Sequence, residues 1–184
     1  METSIIISGF GGQGVLFAGQ LLAYAGMDNG RFVTWIPSYG PEMRGGTANC
    51  TVIVSDEPVG APIVAQPDVA LVFNQPSYEK YENLVKPNGL LIVNSSIVTI
   101  DTPRADVELV EIPANDIAAE FGTSKMLNLA MIGAMLSRNE VLSTAMLEQA
   151  LHDHLPSSKQ QFLQGNLDVL HAGFRAAALE TALI

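Results

Sequence analysis

The chain has 184 residues, 48% of them hydrophobic and only 15% charged, with a formal net charge of −10. That size fits one domain spanning 1–184 with a proper core, and the acidic balance, with no basic cluster anywhere, excludes phosphate-backbone binding and so a nucleic-acid partner. The single cysteine, Cys50, excludes an internal disulfide and a four-thiolate cluster, and points to a reducing, cytoplasmic setting. METSIIISGF has neither the basic region nor the long apolar run of a leader, and no stretch reaches the roughly 20 apolar residues of a membrane span.

Ser4–Ser8 (SIIIS) reads as a short buried strand, β-branched and followed at once by glycine. Val15–Met27 reads as a helix through Val15, Leu16, Ala18, Leu22, Ala25 and Gly26, ended by Asn29-Gly30. Arg31–Trp35 is a second strand, Pro37–Gly46 a loop rich in Pro and Gly, and Ala48–Ser55 a third strand. Its alternation places Cys50, Val52 and Val54 on one face, Thr51 and Ile53 on the other. Val69–Phe73 and Leu90–Val93 are further buried strands, separated by a short helix at Tyr78–Val85 and the stop Pro87-Asn88-Gly89. Val107–Ile112 is the last strand. Helices are expected at Asp116–Phe121, Lys125–Arg138, Thr144–Leu151 (with Ser143 as N-cap) and Lys159–Leu183. The expected fold is α/β: a single Rossmann-like domain with a mainly parallel twisted sheet, helices on both faces and a helical C-terminal third. The low charge fits strands apolar on both faces, and equally a surface covered by other subunits.

Gly9-Phe10-Gly11-Gly12-Gln13-Gly14 follows a strand and opens a helix, the setting of a dinucleotide-binding turn. The glycines allow a tight turn, and the helix start offers free N–H groups and a positive dipole to an anion. That fingerprint also needs an acid at the end of the second strand to hold the ribose. Here the strand ends Thr34-Trp35-Ile36-Pro37, and Asp28 falls before Gly30, at the helix end. Three readings stay open: a nicotinamide cofactor as in a free-standing NAD(P)-binding oxidoreductase, glycines that only permit close packing in a purely structural module, and an anion or partner segment.

The loop Pro37–Gly46 should leave the same sheet edge as the glycine loop, bringing Tyr39, Glu42 and Arg44 to the binding side of an open α/β sheet. A simple Glu42–Arg44 surface ion pair is the bland alternative. His152 and His154 flank Asp153, but without cysteine or clustered glutamate they read as a solvated helix end rather than zinc ligands. His171 reads as structural, Cys50 as a small buried hydrophobe, and Met126, Met131 and Met135 as core or interface. No Ser–His–Asp set, carboxylate pair or Walker motif is present, so the reading assigns this chain no catalytic residue and no metal ligand.

Two segments in order, GFGGQGV (Gly9–Val15) and SYGPEMRGG (Ser38–Gly46), resemble the gamma subunit of the 2-oxoacid:ferredoxin oxidoreductases. VALVFNQ (Val69–Gln75), KPNGLLIVN (Lys86–Asn94) and NLAMIG (Asn128–Gly133) extend the resemblance, which runs from about residue 3 to 175. It implies a multi-subunit enzyme that decarboxylates a 2-oxoacid on thiamine diphosphate, passes electrons through iron–sulfur clusters to ferredoxin and forms an acyl-CoA. The SYGPEMRGG segment on a separate short chain leans toward the 2-oxoglutarate type. The implied partners are alpha, beta and ferredoxin-like subunits, and ferredoxin through the complex; the isolated chain could also pair with a second copy. No cofactor is expected on this chain alone. Gly9, Gly11, Gly12, Gln13, Gly14, Tyr39, Glu42 and Arg44 are the residues expected to meet CoA, another anion or a neighbouring subunit.

Overall fold

The computed structural model describes residues 1–38, 47–122 and 124–180. Six strands form one sheet in the order β2-β3-β1-β4-β5-β6: β1 (Glu2–Phe10), β2 (Phe32–Ser38), β3 (Thr47–Ser55), β4 (Val69–Val72), β5 (Leu90–Asn94) and β6 (Glu108–Ile112). β1, β4, β5 and β6 are parallel neighbours. β3 runs antiparallel to both β1 and β2, so β2 points the same way as β1 but is separated from it. The mainly parallel α/β reading therefore holds, with one strand reversed. The reversal follows from chain length: a parallel crossover takes a dozen or more residues, and segment 39–46 is shorter than that.

Strand burial explains the layering. Ile5, Ile7, Cys50, Val52, Val54, Leu71 and Ile92 point to one face, where they are at most 1% exposed. Against that face pack α1 (Val15–Asp28), α3 (Ala114–Glu120), α4 (Leu127–Arg138), α5 (Thr144–His154) and α6 (Leu163–Glu180). Ile6, Ala70, Val72, Leu91 and Val93 form the opposite face under α2 (Gln75–Tyr81), through Tyr78 and Tyr81. β3 alternates as its sequence predicts, with Cys50, Val52 and Val54 on the α1 side.

Helix boundaries follow local chemistry. Gly14, at φ 76°, precedes α1, and Gly30, at φ 73°, follows it. The Asn29 side chain donates to Ala25 O at 2.8 Å, satisfying one of the carbonyls a helix end leaves open. Ser143 caps α5, its Oγ accepting from Met146 N at 3.3 Å. Asn88, at φ 62°, makes the turn before β5. The helix expected at Tyr78–Val85 begins earlier, because Asn74 Oδ1 accepts from Ser77 N at 2.9 Å and Pro76 suits a first turn. Two expected long helices start with 3₁₀ turns, at Ser124–Met126 and Ser157–Phe162. The last helix is described only to Glu180. No helix among the described residues is long and apolar enough to cross a membrane.

α4 and α6 cross at two glycines. A Cβ on Gly133 would run into the Leu170 carbonyl, and one on Gly173 into the Ala130 carbonyl. The two backbones approach directly, which brings the C-terminal helices onto the core.

Candidate functional site

The carboxyl ends of parallel strands are where an open α/β sheet places its site, and here β1, β4 and β5 deliver the glycine loop, Asn74 and Asn94 to that edge. Gly9 is buried at the end of β1. A Cβ there would come within 2.6 Å of Gln13 Oε1 and 2.8 Å of Phe73 Cβ. Gly12 and Gly14 hold φ of 95° and 76°, which only glycine adopts readily. Gly11 is different: it is exposed, its φ is unexceptional, and a Cβ there would meet nothing within 4 Å. Gly11 and Gly12 thus form the open rim of the turn.

Gln13, expected among the ligand contacts, instead turns inward. Its Oε1 accepts from Phe10 N at 2.6 Å and from Asn74 Nδ2 at 3.5 Å, while its Nε2 donates to Phe73 O at 3.3 Å. One amide thereby ties the loop to itself and to the end of β4. Phe73 O also accepts from Asn94 Nδ2 at 3.2 Å, and Asn94 Oδ1 accepts from Ala114 N at 3.1 Å. Asn74 and Asn94 are at most 1% exposed. They fasten three strand ends and the start of α3 into one hydrogen-bonded floor, which keeps the buried polar groups satisfied. The sequence reading did not single out these asparagines. Their signal is position: each follows directly on an apolar strand run, VALVF and LLIV.

Asn128, at the start of α4, completes the floor. It is 3% exposed, its Nδ2 donates to Gly14 O at 3.3 Å, and its amide occupies the space a Gly14 Cβ would need. α1 begins with no side-chain cap and no acid in its first turn, so its positive end is not neutralised locally.

Tyr39, Glu42 and Arg44 lie outside the described residues. β2, which leads into their segment, ends on the same edge as β1 but two strands away, about 10 Å across the sheet. This disfavours a dinucleotide. The ribose acid belongs at the end of a second strand lying next to β1, and here the antiparallel β3 stands between β1 and β2. Asp28 is also engaged elsewhere: its Oδ2 lies 2.7 Å from His154 Nε2.

The remaining candidates have structural surroundings. Burial pushes the Cys50 thiol up to about 11, outweighing the lowering influence of the Trp35 side chain and the Gly19 backbone; such a thiol is neither a nucleophile nor a ready metal ligand at neutral pH. Among the described residues no three His, Cys, Asp or Glu side chains gather to hold a metal. His154 stacks on Tyr24 with ring centroids 3.9 Å apart and joins α5 to α1, a contact the solvated-end reading did not anticipate. His152 pairs with its neighbour Asp153 at 2.9 Å. His171 Nε2 meets Glu148 at 2.7 Å, joining α6 to α5.

Comparison with known proteins follows this geometry along nearly the whole chain. The profile of the pyruvate ferredoxin/flavodoxin oxidoreductase family matches residues 4–176. A ketoisovalerate oxidoreductase subunit, VorA, from Methanothermobacter marburgensis is 38% identical over 175 residues, which is 94% of this chain but 36% of that protein. The chain thus spans about a third of the length of that relative. A 2-oxoglutarate synthase subunit, KorC, from Methanocaldococcus jannaschii is 35% identical over 181 residues, covering 96% of this chain and 95% of its own length. The crystal structure of a keto/oxoacid ferredoxin oxidoreductase gamma subunit from Geobacter sulfurreducens superposes with a TM-score of 0.85 at 30% identity, covering 97% of this chain and 98% of that one. With its fold, glycine turn and asparagine floor in place, this chain belongs to the pyruvate ferredoxin/flavodoxin oxidoreductase family.

Proposed function

We propose that this chain is one gamma domain, residues 1–184, serving as the gamma subunit of a 2-oxoacid:ferredoxin oxidoreductase that acts on 2-oxoglutarate. The observation that carries the reading is end-to-end correspondence. The KorC relative, a 2-oxoglutarate synthase subunit, matches over 95% of its length. The assembled enzyme would use thiamine diphosphate, iron–sulfur clusters and CoA, with alpha, beta and ferredoxin-like subunits as partners. This chain's one cysteine is buried with a raised pKa, so cluster thiolates must come from other subunits. Its own contribution is the strand-end edge, where the open rim at Gly11 and Gly12 and the segment bearing Tyr39, Glu42 and Arg44 face CoA or a neighbouring subunit.

The test is reconstitution. The purified chain alone should neither consume an oxoacid nor reduce viologen dye, and the complex assembled from its co-expressed partners should turn over 2-oxoglutarate in preference to pyruvate or 2-oxoisovalerate. Turnover by the isolated chain would overturn the subunit role, and a preference for 2-oxoisovalerate would overturn the substrate. CoA titration of the complex, wild type against Arg44→Ala, should show weaker binding in the variant; equal affinities would remove Arg44 from the site.

A further inference from the structure

A cavity of about 440 Å³ opens beside Gly14 of the glycine loop, between the starts of α1 and α4 and the 3₁₀ turn that leads into α6. Its polar lining is Lys125, Lys159, Asn128 and Asn166, and its apolar lining includes Phe17 and Phe162. Among the described residues no acid lines it, in a chain whose acids outnumber its bases 19 to 9. Two helices of full length begin at its wall, α1 after Gly14 and α4 after Met126. Neither has a side-chain cap or an acid in its first turn. Each start carries about half a positive charge, added to that of Lys159.

The decisive group is Asn166. It is 7% exposed, lines this cavity and makes no side-chain hydrogen bond among the described residues. Its amide is not sealed in protein but meets the open space of the cavity, so a ligand group can bond it in place of water. Asn128 shows the contrast, since its amide is engaged with Gly14 O. Lys159, which lines the cavity, likewise forms no ion pair among the described residues.

We infer that this cavity is a binding site for a small anionic amphiphile, with a phosphate or carboxylate head held by Lys159 and the Asn166 amide, and an apolar body lying against Phe17 and Phe162. The volume is in the range of small-molecule sites. The site goes beyond the subunit role proposed above and does not rest on it.

The full-length chain is titrated calorimetrically with hexyl phosphate and with hexanoate, and with inorganic phosphate and hexanol as head-only and tail-only probes. Binding of hexyl phosphate or hexanoate should exceed that of both partial probes, and should weaken as salt is raised. Whichever of the two binds tighter identifies the head group. Asn166→Leu should weaken that binding about tenfold, the scale of a hydrogen bond to a charged group, with little change in thermal midpoint because the amide bonds no protein group. Lys159→Gln, an exposed change, should weaken it severalfold. Absence of saturation by either amphiphile, hexanol binding as well as both, or binding unaltered in Lys159→Gln and Asn166→Leu would each overturn the site. No oxidoreductase activity is read, so failure here leaves the subunit role untouched.

Discussion

Gln13 illustrates how little a residue's motif position says about its direction. In the sequence it sits among glycines expected to meet a ligand; in the fold its amide is spent on Phe10 N, Phe73 O and Asn74. The glycines around it divide in the same way. Gly14→Ala should lose about 1–2 kcal/mol for the left-handed backbone alone, and more from the clash with Asn128 2.7 Å away. Gly11→Ala, with open space around it, should change stability by less than about 0.5 kcal/mol. Urea denaturation of the two variants checks this, and equal losses would contradict the rim assignment. Cys50 allows a second check at this scale. A fully buried thiol with its pKa pushed up to about 11 should resist a thiol-specific reagent at pH 8 in the native protein and react promptly once unfolded; fast native labelling would show that the β3–α1 packing opens. The glycine spacing and the buried-cysteine reading were legible from residue type and strand alternation. The asparagine floor was not, because an asparagine after a strand looks the same whether it faces water, a ligand or another strand end.

Elements are held to one another by a few specific contacts. Asp68, at the start of β4, accepts from Ser4 N at 2.8 Å and Ser4 Oγ at 2.6 Å, and pairs with Lys86 at 2.6 Å. Burial pushes the Asp68 carboxyl up, but the Lys86 ammonium and the Ser4 donors outweigh it and hold the group below its usual range. A depressed folded pKa means stability that is present above the unfolded value of about 3.9 and lost as pH falls through the folded one. Asp68→Asn should therefore destabilise by about 1 kcal/mol at pH 7, after allowance for its partial exposure. The gap from wild type should close as pH falls below 4, as measured by thermal unfolding across that window; a gap that persists at pH 2 would contradict the charge-based account. At the α4–α6 crossing, Gly133→Ala places a methyl against the Leu170 carbonyl and should cost about 1–3 kcal/mol by overpacking. A neutral result would show that the helices separate freely. Helix periodicity located both of these helices, but which residues of each face the partner backbone depends on the crossing.

Across the whole molecule one buried cluster runs from β1 and β3 through α1 and α4 to α6. The sheet and the helical C-terminal part should therefore unfold together. Urea transitions followed by Trp35 fluorescence, which reports the β2–α1 packing, and by far-UV circular dichroism, which reports mostly the later helices, are expected to coincide; two separated midpoints would divide the chain into independent units. The sequence alone determined the element types, the α/β class, the absence of a four-thiolate cluster and the family resemblance, because these follow from periodicity, composition and ordered motifs. It even contained the reason for the reversed β3, in a connection too short for a parallel crossover. Tertiary structure alone decided that β3 stands between β1 and β2, that Gln13 points inward, and that Gly14, Asn128, Lys159 and Asn166 border one cavity. Those residues lie far apart along the chain. Only packing of α1, α4 and α6 on the same sheet face sets their distances, and no local pattern encodes it.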